Sequence, residues 1–248
     1  MFAQERLRAI TEILHTEKKV LVKNLSKKFN ISEDAIRKDL KLLENQGILK
    51  RTYGGGILEK QTPAFEKVAE RNAHNYDKKE QIAEKAFSML QNKETILLDI
   101  SSTNLILAQK IVQSDLSLTV ISNSIDILHA LSKDEKTTLI SLGGMYFQLA
   151  GGFVGSETID SVQKYNVQKT FLGSCGVDLK TKSLTTFNVE DGNTKRAFME
   201  SGRDVYLVME SKKFHYDGIY KFASVDQLTG IILDEKPSDA IEKQLAKL

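Results

Sequence analysis

The sequence predicts an α/β protein in two parts, a small helical head ending in a β-hairpin and a larger domain built on a mostly parallel sheet. Three observations carry this. The 248 residues suffice for one large or two modest domains, and 41% hydrophobic with 27% charged residues can build a real core. Charge is uneven: residues 1–60 hold 13 Lys+Arg against 8 Asp+Glu, a net of +5, while the remainder nets −3. Beyond residue 77, strand-like apolar runs alternate with helical patterns, as in layered α/β architectures. The parts read as 1–58 for the head, 59–76 for a polar linker containing Pro63, and 77–248 for the larger domain.

In the head, Leu7, Ile10 and Leu14 recur at helical spacing, so a first amphipathic helix ends near His15. A second short helix turns Leu25 and Phe29 inward and stops at Asn30, a residue that tolerates the left-handed conformation. Ser32 then suits an N-cap, and Glu33 and Asp34 complement the positive end of a third helix running to about Asn45, with Gly47 as its terminator. On that helix Ile36, Leu40 and Leu43 share one face, while Arg37, Lys38 and Lys41 gather on the other. Two short helices across a tight turn, the second capped and basic, form a helix-turn-helix whose second helix enters the major groove of DNA. Two apolar runs around Gly54, Gly55 and Gly56 then make a hairpin wing, placing Lys50 and Arg51 to meet the phosphate backbone. No Lys-Ser/Thr follows the glycines, which excludes a nucleotide-cradling P-loop.

In the larger domain the strands fall at 95–100, 118–122, 138–142, 169–173, 204–209 and 228–233, with helices at 82–90, 104–112, 125–131 and 195–201 between them. This is a Rossmann-like alternation, in which ligands bind beyond the carboxyl ends of the strands. Polar and glycine residues stand at those ends: Asp99, Ser101, Ser102 and Thr103; Asn123 and Ser124; Gly143 and Gly144; Gly173, Cys175 and Asp178. Hydroxyls and backbone N–H groups at a helix start suit a phosphate, with Lys195 and Lys213 available as cations. Each of these groups also has a plain turn or capping role available.

One cysteine, Cys175, forms no internal disulfide, and four scattered histidines show no metal-ligand spacing, so neither a metal nor a cofactor is expected. Without a long apolar run or a secretory leader, the expected location is the cytoplasm, with no membrane contact.

The run Ile-Ser-Glu-Asp-Ala-Ile-Arg-Lys-Asp-Leu at 31–40, followed by Leu-Lys-Arg-Thr-Tyr-Gly-Gly-Gly at 49–56, resembles the N-terminal signature of the DeoR family of bacterial transcriptional regulators. Ala35 stands where that pattern usually has Thr, and Lys38 where it has a second Arg. The resemblance continues through Asp99 to Thr103, Ser122 to Ser124, Gly143-Gly144, Phe171 to Asp178, Glu190 with Lys195, and Glu210 to Phe214. Cys175 and Glu210 occupy positions where the family commonly has Asp. The resemblance implies a sensor domain similar in fold to ribose-5-phosphate isomerase, and a repressor of carbohydrate or nucleoside catabolic genes controlled by a phosphorylated sugar or related metabolite. It further implies DNA contacts from Ser32, Arg37, Lys38, Lys41, Lys50, Arg51, Tyr53 and Gly54, and effector contacts from the strand-end residues with Glu190, Lys195 and Lys213. Half-site reading makes a homo-oligomer, dimer or tetramer, the expected state on double-stranded DNA. The alternative is a sugar-phosphate isomerase using Asp99, Asp178 or Glu190 as base beside Lys195, a role in which an attached winged helix has no part.

Overall fold

The computed structural model describes residues 3–45, 48–58, 68–237 and 239–245. Two compact units emerge, one gathering residues 1–61 and 238–247, the other residues 62–237.

In the first unit, α1 (Ala3–Glu17) closes on Lys18, whose positive φ of 64° returns its N–H to the Leu14 carbonyl. The next residues form a strand, β1 (Lys19–Leu21), where the sequence predicts only an apolar approach to α2 (Val22–Phe29). Asn30 does end α2 in the left-handed region, φ 52° and ψ 51°. The Ser32 hydroxyl then accepts the Ala35 N–H at 3.2 Å at the start of α3 (Glu33–Asn45). Gly47, the expected terminator, lies outside the described residues. Strands β2 (Leu49–Thr52) and β3 (Gly55–Leu58) flank a turn at Tyr53-Gly54, and β1 adds to β3 to give an antiparallel sheet in the order β1-β3-β2. The wing is therefore three-stranded. Two glycines permit it for different reasons. Gly54 takes φ +88° in the turn, and a Cβ on Gly55 would stand 2.0 Å from the Val20 carbonyl oxygen, so only glycine lets β3 lie this close to β1. Ile10, Leu14, Val20, Leu25, Ile36, Leu40, Leu43 and Leu49 close the core beneath.

The second unit runs α4 (Val68–Ala73), α5 (Tyr76–Phe87), β4 (Thr95–Leu98), α6 (Ser102–Val112), β5 (Thr119–Ser122), α7 (Ile125–Leu131) and β6 (Thr138–Ser141). It continues with β7 (Met145–Phe147), β8 (Gly152–Val154), α8 (Ser156–Val162), β9 (Val167–Leu172), β10 (Gly176–Asp178), β11 (Ser183–Thr186), α9 (Val189–Ser201), β12 (Gly202–Met209), β13 (Tyr220–Ser224) and β14 (Gly230–Leu233). The six strands expected from the sequence pair as one parallel sheet, in the order β14-β12-β9-β4-β5-β6. Both faces are covered. Ile96, Leu98, Val120 and Val208 pack with α5, α6 and α7, while their neighbours Leu97, Ile121 and Leu207 pack with α8 and α9. A strand buried on both sides must be apolar at every position, which is why these runs read as continuous rather than alternating.

Three features depart from the expected plan. Residues 68–76 are α4 and the start of α5 rather than linker; residues 59–67 lie outside the description. Polar contacts fix α4, with Arg71 donating to the Ala150 carbonyl and Asn72 to the Asp126 carboxylate, both at 3.1 Å. The final helix, α10 (Asp239–Leu245), groups with the first unit rather than with the larger domain. Two small antiparallel sheets, β7-β8 and β10-β11-β13, sit outside the alternating pattern.

Candidate functional site

The first unit carries a basic face on α3 and the wing. Helix α3 is anchored from beneath: Arg6 of α1 grips the buried Asp39 carboxylate through Nε at 2.6 Å and Nη2 at 3.1 Å. That bidentate pair fixes the rotation of α3 about its axis, because Asp39 lies on the side opposite the cations. Arg37, Lys38, Lys41, Lys50, Arg51 and Thr52 are exposed, and Tyr53 stands fully exposed at the wing tip. Two of these cations already hold carboxylates. Arg37 donates through Nη2 to Glu33 at 2.8 Å and through Nη1 to Asp34 at 2.7 Å. Arg51 donates through Nε to Glu44 at 2.6 Å; its N–H to the same side chain and that guanidinium hold the Glu44 carboxyl below its ordinary range. Ser32 serves the helix cap, and Gly54 the turn.

In the second unit a cavity opens at the carboxyl ends of β4 and β9. These strands are neighbours, yet the chain winds from β4 outward to β5 and β6 before returning to β9 on the other side. Such a switch of direction leaves a crevice, since the connections leave the two strand ends to opposite sides. From the β4 side come Ser101, Ser102 and Thr103 at the start of α6; from the β9 side, Gly173, Ser174 and Cys175. The Ser101 hydroxyl caps α6 by accepting the N–H groups of Thr103 and Asn104 at 3.1 and 3.2 Å.

Five basic side chains, Arg71, Lys79, Lys195, Lys212 and Lys213, line the cavity against two carboxylates, Asp191 and Glu210. The buried Lys195 ammonium contacts both Asp99 and Asp191. Burial alone would lower its pKa; the carboxylates of Asp191 and Asp99 outweigh burial and raise it, so it stays charged. Asp99 also accepts the Gly173 N–H at 2.9 Å, and burial pushes its carboxyl up against the pull of Lys195. Lys213 donates to the Ser174 carbonyl at 2.6 Å. Burial, with Arg71 and Lys79 nearby, pushes Lys213 down to about 8, against the opposing influence of Cys175 and Glu210. The Cys175 thiol is pushed up by burial. Asn75 at 2.6 Å and Lys212 at 3.1 Å hold Glu210, and the Thr186 hydroxyl donates to Asp191 at 2.5 Å.

Of the strand-end residues expected from the sequence, Ser101, Ser102, Thr103, Gly173, Cys175, Lys195 and Lys213 thus converge, with Asp99 bracing Lys195 from below. The others are not in the cavity lining. Asn123 donates to the Phe153 carbonyl at 2.7 Å, and the Ser124 N–H goes to Ser122. The Gly143 carbonyl accepts the Thr158 hydroxyl, and Gly144 takes φ +140° where a Cβ would meet that hydroxyl at 2.3 Å. Asp178 caps the turn at Lys180 and Thr181, and Glu190 lies in the first turn of α9. The side chains of Asn123 and Asp178 serve the backbone. Sequence reasoning missed Arg71, His74, Lys79, Ser174, Thr186, Asp191, Lys212 and Tyr216. In the sequence Glu210 stands out only as a departure from the family pattern.

Among the described residues no helix is long and apolar enough to cross a membrane, and no group of three His, Cys, Asp or Glu side chains is placed to hold a metal ion.

Comparison with known proteins matches residues 6–62 to the DeoR-like helix-turn-helix domain and residues 74–235 to the DeoR C terminal sensor domain. The chain is 29% identical over 245 residues to the transcriptional repressor AccR of Agrobacterium fabrum, covering 99% of this chain and 95% of that one. It is 27% identical over 244 residues to the glycerol-3-phosphate regulon repressor of Escherichia coli (strain K12), covering 97% and 94%. A ribose 5-phosphate isomerase structure from Methanocaldococcus jannaschii aligns with 56% of this chain and 54% of its own, at 16% identity and a TM-score of 0.42. With a family match to both of its units, one of them spanning more than half its length, this chain belongs to the DeoR family of transcriptional regulators.

Proposed function

We propose that this regulator is a repressor that reads operator DNA with α3 and the wing, and that a phosphorylated sugar or polyol in the α/β cavity alters its hold on that DNA. Phosphate contacts come from Lys38, Lys41 and Lys50, base contacts from the first turns of α3, and Tyr53 follows the groove from the wing tip. The observation that carries the effector reading is the cavity itself: a capped helix start with Ser102 and Thr103, facing Lys213 and Lys195, in a lining where cations outnumber carboxylates. A dianionic phosphate suits that balance, and the carboxylates of Asp191 and Glu210 suit hydroxyl groups on the rest of the ligand. Relatives named as a transcriptional repressor and a regulon repressor support the regulatory half of this reading. Repeated half-sites would be met by a dimer or tetramer.

A thermal-shift panel of sugar and polyol phosphates tests the effector. At least one compound should raise the melting temperature, and S102A combined with K213M should abolish that rise. A panel without a hit, or a hit untouched by the double substitution, would send the ligand elsewhere.

A further inference from the structure

The reading face of α3 carries its own counter-charge. Glu33, Asp34 and Arg37 form an exposed cluster on the first turn and a half of the helix, and the guanidinium bonds to both carboxylates at 2.8 and 2.7 Å. An arginine placed only to grip phosphate would be poorly served by this arrangement. To reach a phosphate it exchanges two carboxylate partners for one anion, and leaves Glu33 and Asp34 facing a polyanion. An arginine placed to read a base is in a different position. A guanidinium has five N–H donors, and the two carboxylates take one each from Nη1 and Nη2. Enough remain for the two neutral acceptors on a guanine edge, O6 and N7.

We propose that Glu33 and Asp34 are discrimination residues: together they more than offset the charge of Arg37 toward the phosphate backbone while leaving donors of its guanidinium available to a base edge. Non-specific affinity comes from phosphate neutralisation, so it loses the contribution of Arg37. Base readout, which needs donors rather than net charge, keeps it, with the side chain turned along α3 by its two carboxylate partners. Lys38, Lys41 and Lys50, exposed on the same unit, supply the sequence-independent attraction. This inference rests on the DNA-reading face proposed above.

The test compares the wild-type chain with E33Q/D34N by equilibrium binding between 50 and 200 mM salt. Two duplexes serve as probes, one enriched from a random pool by the wild-type protein and one of the same composition with shuffled order. In the double variant, affinity for the shuffled duplex should rise about fivefold and its log–log salt dependence steepen by about one, near the 0.9 per phosphate expected for a newly engaged cation. Affinity for the enriched duplex should change by less than about twofold, so the ratio between the duplexes falls. An unchanged salt dependence, or equal tightening on both duplexes, would overturn the inference. Both carboxylates also favour the start of α3, so E33Q and D34N are measured singly as well; each should shift the shuffled duplex in the same direction by a smaller factor. R37A separates the two levels of the argument. If it leaves binding to both duplexes intact, the reading face itself is misassigned. If it weakens the enriched duplex while E33Q/D34N changes nothing, only the discrimination role fails.

Discussion

Lys213 is the side chain whose protonation matters most to the cavity. Burial holds its pKa near 8, below the ordinary lysine value, and its ammonium lies against the Ser174 carbonyl in the cavity lining. A phosphate monoester loses its second proton near pH 6, so the fully charged ligand and the charged lysine coexist only between about pH 6 and 8. Effector affinity should therefore rise through pH 6, hold, and fall about fivefold from pH 8 to 9 as the ammonium is lost, a fall that calorimetry should find absent in K213M. The ligand-free protein moves the other way. Its folded pKa is depressed, so between about pH 8 and the unfolded value near 10.4 the unfolded chain binds more protons and stability rises with pH. An affinity that stays flat to pH 9.5 would place Lys213 away from the phosphate.

At the scale of elements, the two neighbouring wing glycines separate conformation from space. A Cβ at Gly54 meets nothing but sits at φ +88°; one at Gly55 meets the Val20 carbonyl of β1. Gly54→Ala should cost about 1 kcal/mol, from strain alone. Gly55→Ala should cost about 2–3 kcal/mol, because β1 must part from β3, and urea unfolding of the winged unit should resolve the difference. Equal costs would mean that β1 is dispensable. The same contrast explains what the sequence reveals. The central sheet strands are legible because burial on both faces demands apolar runs, and α3 because its cap, apolar face and cationic face coincide. Strand β1 is three residues long with one buried side chain, and α4 is held by Arg71 and Asn72, so neither leaves an apolar rhythm. For the cavity, residue type identified Ser101 to Thr103 and Gly173, yet the same types at Asn123 and Gly143 only satisfy neighbouring backbone and side chains. Arg71 is hidden because its segment reads as linker, and Lys79 because it precedes the first helix the sequence predicts, at 82–90.

For the whole molecule, charge and function divide along the same line: the net +5 belongs to the winged unit, and the slightly acidic remainder holds the cavity. Helix α10 crosses that division in sequence, since residues 238–247 group with 1–61. A chain ending at Pro237 should lower the melting transition of the winged unit by several degrees, roughly 1–2 kcal/mol for a unit of this size, and leave ligand-induced stabilisation of the α/β unit unchanged. Calorimetry on the truncated chain decides it, and an unaltered winged-unit transition would remove α10 from that unit. Because the chain reaches β9 only after winding out through β5 and β6, the cavity is completed late in synthesis. Among the described residues, the nine buried apolar side chains of the winged core, Ile10 to Leu49, leave the ribosome early, whereas the cavity draws on residues from Arg71 to Tyr216. At bacterial rates of about 5–20 residues per second, a nascent chain holds the core of its reading head for many seconds before its sensor can close around anything.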